Sequence, residues 1–157
     1  MKYLLPLILF FALVSCNTEV KKNQNEPTIN IAQELEKIDQ MRKSFEKTVK
    51  ERRYEDLGQF VTKDMISIGP GSEEWNAYRA LKEKHGNKFR YDSIKMNPKE
   101  TVIVSDTVAY DFGVSSMFYT DETGTVHELK DTFLVLLKKN KEGEWKLFRE
   151  LASANVE

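Results

Sequence analysis

Hydrophobic and polar positions divide the chain into segments of different period. Tyr3 to Val14 is uncharged and apolar, behind the basic start Met1-Lys2. This run is shorter than the about 20 apolar residues that span a bilayer, and it has the length of a secretory signal's apolar region. Asn17 to Thr28 is polar and without period, which predicts a flexible tether. From Ile31 the pattern becomes helical. Ile31, Leu35, Ile38, Met41, Phe45 and Val49 recur three or four apart and mark the core-facing stripe of a helix. Asn30 with Gln33 supplies its N-cap. The charged residues Glu34, Glu36, Lys37, Arg42, Lys43, Glu46 and Lys47 are assigned to the opposite, solvated face.

A short second helix is predicted over Tyr54 to Val61, then a short strand from Met65 to Ile68. Gly69-Pro70-Gly71 breaks that strand, and Ser72-Glu73-Glu74 opens a third helix carrying Trp75, Tyr78 and Leu81. Beyond Gly86 the chain alternates with period two. Turn signals at 105–107, 121–124 and 140–143 separate strands at about 88–104, 107–120, 125–139 and 144–153, the first broken near Asn97-Pro98. Long strands joined by short turns predict an antiparallel meander. The order predicts an α+β domain of helices packed on a curved sheet, over 29–157. Strand 107–120 is apolar on both faces, as is Phe133 to Leu137, and the helices can cover only one of them. A homodimer through the other face is the economical answer, and local curvature that buries both faces within one cone is the alternative.

Composition narrows the function. The 157 residues contain 40% hydrophobic and 11% aromatic side chains, enough for a packed core rather than a disordered chain. The net charge of −1 gives no electrostatic footprint for nucleic acid. One Cys and two His, with no glycine-rich phosphate loop, point to no metal cluster and no cofactor.

The single cysteine has a telling position. Leu13-Val14-Ser15-Cys16 directly follows the apolar run and resembles the lipobox of bacterial lipoproteins. The resemblance implies a signal peptide over 1–15, a lipid on Cys16 and a tether over 16–28. It places the protein in the bacterial cell envelope, anchored to the membrane through Cys16. Asn17 is not the Asp of an inner-membrane retention signal, which favours the outer membrane where a cell has two.

The order of helices and strands is similar to the nuclear transport factor 2-like cone, and local motifs resemble the SnoaL-like domains within it. These are Ile68 to Trp75, where a Gly-containing turn precedes an acid and an aromatic; Asp106 to Tyr110, with its small Ala109; and Lys138 to Phe148, with Gly143 ahead of Trp145. The tail Arg149 to Ser153 has Leu151 where the family often has His, and keeps Ser153. The resemblance implies a pocket between helices and concave sheet, but no particular reaction: relatives include isomerases, cyclases, dehydratases and hydrolases as well as binding and assembly domains.

Candidate chemistry centres on Asp111, in mid-strand on the face of Ala109 and Gly113. A carboxylate there would face the cavity and could serve as acid or base. Glu74, Trp75, Tyr78, Tyr110, Trp145, Arg149 and Ser153 are the further candidates for the pocket, Arg149 as a clamp for a carboxylate ligand or for Asp111. Asp131 is a reserve acid, and His85 and His127 read as surface residues. Two functions follow. The preferred one is a lipid-anchored domain that binds a small apolar or carboxylate ligand or a protein partner. The alternative is an isomerase, cyclase or dehydratase with Asp111 as its acid or base. A cavity filled by its own side chains would instead mark a module that only binds partners.

Overall fold

The computed structural model describes residues 29–86 and 90–154; Cys16, the signal and the tether lie outside them. Helix α1 runs over Ile31–Lys50, and Asn30 caps it by accepting the Gln33 backbone N–H at 3.2 Å. A 3₁₀ turn over Tyr54–Phe60 leads into β1, Val61–Ile68. Helix α2, Glu73–Lys84, starts at Ser72, whose hydroxyl accepts the Trp75 N–H at 3.4 Å. Four strands follow: β2 over Ser93–Ile103, β3 over Val108–Thr120, β4 over Val126–Lys139 and β5 over Trp145–Ser153. Gly124 and Gly143 close two of the hairpins at positive φ, where a Cβ would be strained.

The strands form one sheet in the order β1-β5-β4-β3-β2. The last four make the expected antiparallel meander. The first strand is longer than its sequence pattern suggests, and it adds to the far edge parallel to β5, pairing Ile66 with Arg149 and Ile68 with Leu151. At the opposite edge β2 pairs with β3, and the Glu46 carboxylate of α1 accepts the Met96 N–H at 2.6 Å, satisfying one edge donor.

Two bulges set the register. In β2 the ladder slips between Pro98 and Glu100, beside the break expected at Asn97-Pro98. In β5 it slips so that Leu137 faces Leu147 while Leu136 faces Arg149, leaving Phe148 as the extra residue. Side chains alternate faces with period two, so this one residue reverses the phase of everything after it. Trp145 and Leu147 point inward, but so do Glu150 and Ala152, and Arg149 and Leu151 turn outward.

One face of β3 is buried throughout: Ala109, Asp111, Ser115, Met117 and Tyr119. Helix α1 covers this side through Ile38 and Met41, which pack with Ala109, Phe133, Val135, Leu137 and Trp145. Helix α2 closes the other end with Trp75 and Tyr78 against Met117, Tyr119 and Leu129. The stripe of α1 differs from the expected one: Ile31 is exposed, whereas Glu34 and Arg42, assigned to the solvated face, are buried. Each is held by a partner on the sheet. The Trp145 indole N–H donates to Glu34 at 2.8 Å, and Lys139 reaches the same carboxylate at 2.7 Å. Arg42 reaches Asp111.

Candidate functional site

A cavity of about 480 Å³ lies between α1 and the concave sheet. Met41 and Phe45 of α1, Leu57 of the 3₁₀ turn and Trp75 of α2 form its helical wall, with Val61 at the start of β1 beside them. Met96, Met117, Phe133, Val135, Leu137 and Leu147 form its sheet wall. Such a volume with mostly apolar walls lies within the roughly 300–1,000 Å³ range of small-molecule sites. The cavity is open space, not filled by its own aromatic side chains.

Its polar groups come in three sets. At the first, Arg42 donates to Asp111 Oδ2 from Nε at 3.1 Å and from Nη2 at 2.9 Å, while the Thr101 hydroxyl donates to Oδ1 at 2.8 Å. Arg42 also reaches Asp39 at 2.9 Å. Both partners of the Arg42–Asp111 pair are buried and both carboxylate oxygens are engaged. At the second, the Ser115 hydroxyl hydrogen-bonds to the carboxylate of Asp131, which is 6% exposed. Burial pushes the Asp131 carboxyl above the usual carboxylate range; the negative charge of Glu150 adds to this and the Ser115 hydrogen bond opposes it. At the third, the Ser67 hydroxyl of β1 donates to Glu150 Oε2 at 2.5 Å. Tyr91 also lines the cavity, and burial raises its phenol. Among the described residues no group of three or more His, Cys, Asp and Glu is placed to hold a metal.

The sequence candidates scatter around this cavity. Asp111, Trp75 and the reserve acid Asp131 line it. Trp75 is fixed by its indole N–H, which donates to the Lys130 carbonyl at 3.2 Å. Tyr78 is buried behind Trp75, its ring edge-on at 6.2 Å. Trp145 belongs to the core rather than to the cavity wall, because its N–H serves Glu34. Tyr110 alternates onto the outer face of β3, where it meets Glu100. Glu74 is exposed in the first turn of α2; its own backbone N–H and the Ser72 hydroxyl hold its carboxyl below the usual range.

The β5 bulge carries Arg149 away from the cavity. Its guanidinium lies 3.7 Å over the Phe148 ring and donates to the Asp64 carbonyl at 2.8 Å. Leu151 and Ser153 are exposed on β5. His127 meets Asp121 at 2.7 Å and stacks on Tyr119, and His85 meets Glu122 at 2.9 Å, all near the β3–β4 turn.

Arg42, Thr101, Ser115, Ser67 and Glu150 are site residues absent from the sequence candidates. Arg42 had a signal: Glu34, Ile38 and Arg42 stand four apart, on one stripe of α1. Glu150 had none, since only the bulge turns it inward.

No family model matches the sequence, and no curated protein matches it. Solved structures do match in shape. A ketosteroid isomerase-like protein from Erwinia carotovora atroseptica SCRI1043 superposes with a TM-score of 0.57 at 23% identity, covering 76% of this chain and 95% of that one. An NTF-2-like protein from Shewanella oneidensis MR-1 gives 0.58 at 17% identity, covering 76% and 98%. The fold is the nuclear transport factor 2-like cone. The association domain of the Caenorhabditis elegans kinase CaMKII shares this cone, with a TM-score of 0.52 at 16% identity over 78% of this chain and 95% of that one. At these identities the likeness concerns the nuclear transport factor 2-like fold alone. The chemistry of this cone has to be read from its own cavity.

Proposed function

We propose that this chain is a lipid-anchored bacterial envelope protein whose SnoaL-like domain binds a small, largely apolar ligand in the cavity of the cone. The apolar-walled cavity of about 480 Å³ carries this reading. Burying apolar ligand surface there gains about 25 cal/mol per Å². A carboxylate ligand is less well served, since Arg149 points away and the Arg42 guanidinium is occupied by Asp111 and Asp39. The neutral fluorescent probe N-phenyl-naphthylamine tests the reading. Saturable one-to-one binding should occur and should disappear in Val135→Trp, where an indole fills the cavity. Absence of saturable binding, or an unaltered titration in that variant, would refute it.

The membrane anchor is the lipid on Cys16, and where a cell has two membranes the outer one is its place. Cys16→Ala should move the protein from the membrane to the soluble fraction; retention of that variant would remove the anchor.

The second reading, an isomerase, cyclase or dehydratase, changes its residue. Asp111 is a poor base because Arg42 and Thr101 occupy its oxygens. Asp131, buried and raised, is the acid that favours this reading. Any turnover found should collapse in Asp131→Asn and persist if Asp131 has no part in it.

A further inference from the structure

The charges inside the cavity do not cancel. Arg42 and Asp111 neutralise each other. Asp131 and Glu150 remain, held only by neutral groups: Asp131 by the hydroxyl and backbone N–H of Ser115, Glu150 by the Ser67 hydroxyl. Neither meets a lysine, arginine or histidine among the described residues. Asp131 is more than nine-tenths buried and lines the cavity. A buried carboxylate without a cation is costly, and removing apolar-bounded water around it raises that cost. The upward push that burial and Glu150 exert on Asp131 is the same effect in another form.

We infer that the ligand of this cavity is an organic cation, an ammonium group on an apolar body, seated with its nitrogen at Asp131 and within the field of Glu150. The inference rests on the binding reading above and specifies its ligand class. An ammonium supplies three donors to carboxylate and hydroxyl oxygens and cancels the unbalanced charge, while the apolar body fills the space between Phe45, Met96, Phe133 and Leu147. A ligand carboxylate would meet like charge there. The four methionines on the wall, Met41, Met65, Met96 and Met117, are adaptable surfaces that fit apolar bodies of more than one shape.

Three probes of nearly equal shape separate the terms: phenylbutylamine, phenylbutanol and phenylbutyrate, titrated calorimetrically into the full chain at mildly alkaline pH. The amine should bind at least about tenfold more tightly than the alcohol, and the carboxylate most weakly. Asp131→Asn should erase the preference for the amine while keeping affinity for the alcohol. Glu150→Gln should reduce the preference severalfold, and it provides the test if Asp131→Asn folds poorly. Equal affinity of amine and alcohol would overturn the inference and leave the apolar-pocket reading standing. A preference that survives both substitutions would place the ammonium elsewhere and overturn the assignment. Failure of all three probes to bind would remove the pocket reading and the inference with it.

Discussion

Arg42 on α1 and Asp111 on β3 are buried together, and neither can be changed alone without stranding a charge. Asp111→Asn should destabilise the fold by about 3–5 kcal/mol in urea titrations, because Arg42 loses its carboxylate. The double change Arg42→Met with Asp111→Leu should recover most of that loss, since apolar replacements of buried pairs are often neutral. A double variant as unstable as the single one would show that the pair does more than neutralise itself. Glu34 makes a pH-dependent contribution. Hydrogen bonding to Lys139 above all, then to Lys37 and Trp145, lowers its carboxyl to about 2 from an ordinary value of 4.5. The folded pKa is depressed, so the stabilisation is complete above about pH 4.5 and is lost as pH falls toward 2. Glu34→Ala should cost about 3 kcal/mol at neutral pH by thermal or urea unfolding, and the gap to the parent should narrow through that window. At this scale the sequence revealed Asp111 and Trp75 through strand phase and helix spacing. It concealed Arg42 and Glu34 because charged residues on a helix ordinarily face water, and only their sheet partners make burial tolerable.

Elements were more legible than residues. Period two marked β2 to β5, the helical stripe marked α1, and Ser72 marked the start of α2. The β2 bulge was foreshadowed by Pro98, which lacks a ladder donor. Its partner position shows why the break is safe there. Gly113 lies against Pro98, and a Cβ on it would sit 2.6 Å from the Pro98 Cα. Gly113→Ala should therefore push the strands apart and cost about 1–3 kcal/mol, read as a lower urea midpoint with an unchanged slope. An unchanged midpoint would mean that the β2 edge yields freely. Two features had no local signal. The parallel pairing of β1 with β5 is a long-range choice that Met65 to Ile68 does not encode. The bulge at Phe148 has neither glycine nor proline to announce it.

For the whole molecule, the outer face of the sheet is the outstanding surface. Ile68, Leu151, Leu134 and Phe112 form one row across four strands. Ile66, Leu136, Tyr110 and Val102 belong to the next row, interrupted by Arg149. Ile68 is 60% exposed, Leu151 55% and Leu134 40%, so among the described residues the face is an apolar patch without cover in one copy. We propose that a second copy covers it about a two-fold axis, the economical arrangement for a self-complementary sheet face. Sedimentation equilibrium should show a dimer, and Leu134→Asp with Leu151→Asp should yield a folded monomer. A parent chain that stays monomeric at high concentration would refute the pairing. The sequence pointed to this face because strand 107–120 is apolar on both sides, and the α+β class followed from the order of elements. The polarity of the cavity did not follow, because it depends on which residues of β5 look inward.

That dependence makes the strand's reading frame a determinant of selectivity. Were β5 straightened with Phe148 kept and paired opposite Leu136, Arg149 would swing toward the interior and Glu150 toward solvent, with no amino acid exchanged; excising Phe148 would instead leave both facing as they do. The straightened strand would offer the cavity a guanidinium in place of a carboxylate and invert the preference between phenylbutylamine and phenylbutyrate, whereas the chain lacking Phe148 should keep its preference for the amine. In such a cone the gain or loss of one bulge in the last strand, at constant chain length, is a route from one ligand charge to the other, which is how an unchanged scaffold can diverge in what it recognises.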